Sequence, residues 1–183
     1  YSKLLGLDQM EALQLLSELE SVSGRFQYFI SEGNVTAIVD YAHTPDALKN
    51  VLETINDIRT KNEELITVVG AGGDRDTTKR PKMGNIASAL STKAIITSDN
   101  PRSENPEAII EQIEAGVEPI HYKRILSITD RKQAIKTACQ LANAGEIILI
   151  AGKGHETYQE INGERFDFDD YKIVQETLKQ LNK

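Results

Sequence analysis

Four short stretches hold the residues able to do chemistry: Asp40-Tyr41-Ala42-His43, Gly70-Ala71-Gly72-Gly73-Asp74-Arg75-Asp76, Asp99-Asn100-Pro101-Arg102 and Gly152-Lys153-Gly154-His155-Glu156. Arg75 and Arg102 carry planar guanidinium forks, which suit bidentate carboxylate recognition better than lysine does. Asp99 and Glu156 accept hydrogen bonds from an ammonium group. Two guanidiniums and two carboxylates together match a zwitterionic ligand such as an amino acid. A surface salt bridge is the ordinary explanation for any one of these charges, but their combination favours a site. Other chemistries fit worse. Arg75 stands where a G-x-G-x-x-G dinucleotide loop needs its last glycine, and Lys153 is followed by Gly154 rather than by the Ser or Thr of a Walker A loop. The glycines therefore serve either tight turns or close approach of backbone to a ligand. His43 and His155 form no H-x-x-x-H pair, so no catalytic metal is expected. His43 directly precedes a helix start, where it either packs beside the cap or joins free amides that favour a phosphate.

Each cluster follows a strand pattern: "VTAIVD", "ELITVVG", "KAIITS" and "EIILIAG". Continuous Val, Ile and Leu, alternating with helices, indicate a mostly parallel sheet covered on both faces. In open α/β sheets ligands bind beyond the carboxyl ends of the strands, so a parallel sheet brings all four clusters to one rim. "GRFQYFI" and "VTAIVDYA" read as an antiparallel hairpin at an edge. The expected fold is a Rossmann-like three-layer α/β sandwich with that antiparallel edge. Thr44 with Pro45 starts one helix, "MGNIASALS" forms another, and Asn105-Pro106 starts a third. "RILSI" reads as a strand before a helix in "DRKQAIKTACQLANAG" that Gly145 ends. In "YQEINGERF", Asn162-Gly163 signals a type I′ hairpin turn, and a last helix starts at about Asp169. "LDQMEALQLLSELE" has helical spacing, with Asp8 and Glu11 as its capping box.

The chain of 183 residues is 39% hydrophobic, enough for one globular domain with a short extra segment. At that length folding buries roughly 70% of the unfolded surface, so no covalent staple is needed. Cys139 is the single cysteine, lies in a helical pattern and reads as a core residue. A formal net charge of −7 and 5% aromatic content argue against a general nucleic-acid role. No apolar run reaches the ~20 residues of a membrane span, which makes the cytoplasm the expected compartment. The opening "YSKLLG" has no methionine, as expected of a piece cut from a longer protein.

In this order, "DYAHTPDAL", "GGDRDTTKRPKMG", "DNPR" and "AGKGHE" resemble the C-terminal domain of the bacterial Mur ligases. The resemblance runs from the helix before "GRF" to the last helix. "DNPR" looks like the signature of members that add meso-diaminopimelate to UDP-N-acetylmuramoyl-L-alanyl-D-glutamate. The resemblance implies that Arg75, Asp99, Asn100, Pro101, Arg102, Gly152 and Glu156 bind diaminopimelate, with Arg102 on its distal, D-configured carboxylate. It places Arg25, Asp40 and His43 near a nucleotide. It also implies ATP and Mg2+ as cofactors of a peptidoglycan-precursor ligase in which ATP converts the D-glutamyl carboxylate to an acyl phosphate that the amine attacks. The family's ATP loop, magnesium-binding residues, modified lysine and uridine-binding domain do not appear in these residues. The catalytic groups therefore stay unassigned, and the chain alone is expected not to ligate. Residues 1–21 resemble the end of the central ATPase domain, and residues 22–183 resemble the C-terminal domain. Two alternatives are a free-standing small-molecule binding module and a folylpolyglutamate synthetase, for which the second-carboxylate clamp in "DNPR" would have no use.

Overall fold

The computed structural model describes residues 25–60 and 62–183. The helix expected from Asp8 and the boundary expected near residue 21 lie outside the described residues. The β-branched runs form β1 (Gln27–Ile30), β2 (Thr36–Asp40), β3 (Leu65–Val69), β4 (Lys93–Thr97), β5 (Ile125–Ile128) and β6 (Ile147–Ala151). They join in one sheet of order β1-β2-β6-β3-β4-β5. The β1–β2 pair is antiparallel and every other pair is parallel. The antiparallel strand thus sits at an edge, as expected. In β3 the alternation is explicit: Leu65 and Val69 join one core while Ile66 and Val68 join the other. A strand buried on both faces favours apolar residues at successive positions, which explains the nearly continuous hydrophobic runs, and the one buried hydroxyl of β3, on Thr67, is satisfied by Ser91 Oγ at 2.7 Å.

Helices α1 (Pro45–Ile58), α2 (Lys79–Leu90) and α3 (Pro106–Glu114) cover one face, packing Leu52, Met83 and Ile109 against Ile38, Val69 and Ile96. Helices α4 (Arg131–Leu141) and α5 (Asp170–Gln180) cover the other, packing Ile135 and Val174 against Val39 and Ile148. Side-chain caps start four of the helices: Thr44 accepts from Ala47 N–H, Asn105 from Ala108, Asp130 from Gln133 and Asp169 from Lys172. The remaining hairpin, β7 (Tyr158–Ile161) and β8 (Glu164–Asp167), forms a separate two-stranded sheet. Its two-residue turn has φ of 51° at Asn162 and 81° at Gly163, matching the type I′ expectation.

Two boundaries and one added turn differ from the sequence reading. Helix α2 begins at Lys79, before the expected Met83. Helix α4 ends at Leu141 with Ala142 as its cap, and Gly145 lies in the following turn, where its N–H donates to Asn34 O. The reason is tertiary: the Lys183 ammonium donates to the carbonyls of Cys139, Gln140 and Ala142, closing the helix earlier than the glycine would. A 3₁₀ turn over Pro119–Arg124, leading into β5, was not foreseen.

Candidate functional site

Because β2, β3, β4 and β6 run in one direction, the loops that follow them share one rim, where a cavity of about 610 Å³ opens. Tyr41 and His43 line it from the first loop, Gly72 and Arg75 from the second. Asp99, Asn100 and Arg102 line it from the third, Gly152 and Glu156 from the fourth. Three of the expected residues do not line this cavity. Pro101 is buried and turns its carbonyl to the N–H of Glu104. Asp40 accepts the Phe26 N–H at 2.7 Å and so fastens the approach to β1. Arg25 is exposed. A second cleft of about 490 Å³, lined by Glu111, Tyr122 and Ile125, lies elsewhere and contains none of the expected residues.

The second and third loops are fastened to each other. Gly73 N–H donates to Asn100 O at 2.8 Å, and Arg102 Nη1 donates to Gly73 O at 2.7 Å. Ser103 Oγ donates to Asp74 Oδ1 at 2.7 Å. Beneath them the buried Arg80 donates to both oxygens of Glu104 at 2.8 Å, to Gln112 Oε1 at 2.8 Å and to Gly72 O at 3.1 Å. Those bonds from Arg80, with one from the Asp74 N–H, lower the Glu104 carboxyl to about 2. A bidentate guanidinium–carboxylate pair fixes orientation as well as distance, so the loops form one rigid wall.

The fourth loop contributes a fully buried ammonium. Lys153 Nζ donates to Asn100 Oδ1 at 2.8 Å and Glu156 Oε2 at 3.3 Å, and it lies 4.0 Å from Asp99 Oδ1. Asn100 Nδ2 donates to the same Glu156 oxygen at 2.9 Å, while its Oδ1 also accepts from Glu160 N–H at 3.0 Å. Both ends of the Asn100 amide are therefore occupied, and this residue positions Glu156. Gly152 has φ of 122°, and a Cβ there would lie 2.6 Å from Asp99 Oδ2, so only glycine lets the two loops meet. Below, buried Arg131 pairs with Asp170 at 2.7 and 2.9 Å and donates to Ala151 O at 3.1 Å. That pair pins the starts of α4 and α5 under the end of β6.

The remaining wall is aromatic and cationic. The Tyr41 ring meets His43 edge-on at 4.6 Å and lies 5.3 Å from His155. Burial, followed by the negative charges of Glu156 and Asp99, raises the Tyr41 pKa. Lys79 Nζ donates to His43 O at 3.1 Å, and burial lowers its pKa against the opposing pull of Asp99 and Asp76. The cavity therefore presents guanidiniums at one part and carboxylates at another, an arrangement able to hold an amine and a carboxylate of one small molecule.

Sequence reasoning found the residues whose charge faces the cavity and missed those that hold them. Arg80 and Arg131 carry no sequence expectation, yet both are buried. The phosphate-loop comparison at Lys153 says nothing of its burial. A lysine between two glycines directly after a buried strand was the available signal. Lys79 and Tyr158 also line the cavity and lie outside the four stretches, while Asp76 lines it from within the second.

Residues 24–154 match the family described as Mur ligase, glutamate ligase domain. The chain belongs to this family. A UDP-N-acetylmuramoyl-L-alanyl-D-glutamate–2,6-diaminopimelate ligase of Cytophaga hutchinsonii is 56% identical over 180 residues, which are 98% of this chain and 37% of that protein. A solved structure of a ligase with the same name aligns with a TM-score of 0.81 at 41% identity, covering 100% of this chain and 37% of the other. A folylpolyglutamate synthase from Thermotoga maritima aligns at 0.55 and 19% identity, over 80% of this chain and 32% of its own, which shows a shared fold. The chain thus spans little more than a third of the length of the first two Mur ligases.

Proposed function

We propose that this chain is the amino-acid-binding part of an ATP-dependent ligase that adds meso-diaminopimelate to UDP-N-acetylmuramoyl-L-alanyl-D-glutamate during peptidoglycan precursor synthesis. The observation that carries the reading is the single cavity shared by Arg75, Arg102, Asp99 and Glu156, each from a strand-end loop. Arg102 has Nη1 held by Gly73 O, and its Nη2 has no hydrogen bond among the described residues, leaving a donor for the ligand's second carboxylate. Glu156 has Oε2 held by Asn100 and Lys153 and its carboxylate also meets the Tyr41 hydroxyl, so three neighbours orient this charge toward an ammonium in the cavity. The identity to a diaminopimelate-adding relative supports the same choice of substrate.

In this reading residues 22–183 form the C-terminal domain, and residues 1–21 end the central ATPase domain. ATP supplies the acyl phosphate of the D-glutamyl carboxylate. This chain's residues orient the amine that attacks its carbonyl carbon, forming the amide and releasing phosphate. Orientation of this kind lowers a barrier by several kcal/mol, up to roughly 7–11 in ideal cases. Arg25, Asp40 and His43 are assigned to the neighbourhood of the nucleotide. In this reading the Mg2+ that accompanies ATP is held mainly by the central domain. No described helix is long and apolar enough to cross a membrane, and the reading puts the ligase in the bacterial cytoplasm.

Steady-state kinetics of the full-length ligase test the reading. Arg102→Ala and Arg75→Ala are each expected to raise the KM for diaminopimelate by roughly ten- to a hundredfold, equivalent to about 1.5–3 kcal/mol for a lost charge-assisted hydrogen bond. An unchanged KM removes the residue from the site. The 183-residue chain alone is expected to give no ATP-dependent tripeptide, and turnover by it would overturn the domain assignment.

A further inference from the structure

The β7–β8 hairpin adds little to either core: all four residues of β8 are exposed and those of β7 are half-buried. Its hydrogen bonds go instead to the Asp99–Arg102 loop. Gln159 Nε2 donates to Asp99 O at 2.7 Å, and Glu160 N–H donates to Asn100 Oδ1 at 3.0 Å. Arg102 is bracketed on both sides, its N–H donating to Glu160 O at 3.0 Å and its carbonyl accepting from Asn162 N–H at 2.7 Å. The Glu160 carboxylate also lies 3.7 Å from Arg102 Nε. Arg102 has φ of 51°, a left-handed conformation that an L-residue keeps only where its surroundings impose it.

We propose that the β7–β8 hairpin is the specificity-positioning element of this site: by pairing with the backbone of Arg102 it imposes the left-handed conformation that turns the guanidinium toward a ligand's second carboxylate. The inference rests on the proposed function and deepens it. Arg102 supplies the charge, and Asn162 and Gly163 supply its direction. In an extended conformation the same side chain would leave a different face of the loop, and Nη1 would no longer reach Gly73 O. A hairpin that only covered the loop would need neither bracketing bond.

The turn offers a test free of steric interference, since a Cβ at Gly163 meets no atom within 4 Å. Valine resists the positive φ of 81° there, whereas asparagine tolerates it. In the full-length ligase, Gly163→Val is expected to raise the KM for meso-diaminopimelate roughly tenfold, the scale of one charge-assisted hydrogen bond. The kcat and the KM for ATP stay unchanged, selectivity over L-lysine falls as the KM rises, and Gly163→Asn behaves as wild type. Asn162→Pro removes both the donor to Arg102 and the positive φ, and is expected to act as valine does. A merely structural hairpin would lower the active fraction, reducing kcat with KM unmoved. An unchanged KM in both Gly163→Val and Asn162→Pro overturns the inference, as does a loss confined to kcat. If those variants are silent while Arg102→Ala raises the KM, only the hairpin's role fails. If Arg102→Ala is also silent, the functional reading fails with it.

Discussion

Lys153 is sealed from solvent with its ammonium 2.8 Å from Asn100 and 3.3 Å from Glu156, and among the described residues it is the one cation that touches both. Burying a charge is costly unless partners compensate it, and removing one partner leaves the others uncompensated. Lys153→Met is therefore expected to destabilise the chain by about 3–5 kcal/mol, measured by urea unfolding, because Glu156 and Asp99 lose the cation between them. A loss below 1 kcal/mol would show that the ammonium is not their counter-charge. Arg75, Arg102, Asp99 and Glu156 were legible in the sequence because charged groups placed directly after buried strands have few structural reasons to be there. Lys153 was not legible, since its role depends on an asparagine 53 positions away. Asn100 shows the converse: it was assigned to the ligand, and both ends of its amide are taken up by Glu156, Lys153 and Glu160.

Pairs of elements set the next level. The Arg80–Glu104 pair joins α2 to the loop before α3, and the lowered Glu104 pKa makes that junction sensitive to acid. The folded carboxyl titrates at about 2 against an ordinary value of 4.5, so its contribution is present above the ordinary value and lost as pH falls toward 2. Glu104→Gln is expected to lower the unfolding free energy at neutral pH by about 1.5–3 kcal/mol, with the difference from wild type shrinking below about pH 4.5. Parallel acid-unfolding curves at constant separation would contradict this. Strand positions and the capped starts of α1 and α3 were readable at this level because β-branched runs and Thr-Pro or Asn-Pro caps are local signals, whereas α2, whose Thr78 makes no side-chain cap, starts four residues before the expected Met83. The end of α4 was not, because the amine that closes it belongs to Lys183. The Asn162-Gly163 turn was readable in type, but nothing local to it indicates that its strand would dock on Arg102.

For the molecule as a whole, two cores flank one sheet, and Cys139 lies inside the one under α4 and α5. Burial pushes its thiol up to about 12. At neutral pH Cys139 is expected to resist a disulfide reagent in the native protein and to react at a rate that follows unfolding, checked by labelling across a urea series. Fast native labelling would mean that this core opens locally. The common direction of the parallel strands has a separate electrical result. Helices α1 to α4 each follow a parallel strand, so their amino ends and the positive poles of their macrodipoles lie on the cavity's side of the sheet, with Thr44 at the start of α1 and Lys79 at the start of α2 lining the cavity itself. A protein with formal charge −7 thereby offers incoming anions a locally attractive entrance. Added salt is expected to slow the capture of an anionic substrate by the full-length ligase in stopped-flow measurements, the reverse of what overall repulsion would give, because mobile ions screen the local field that draws it in.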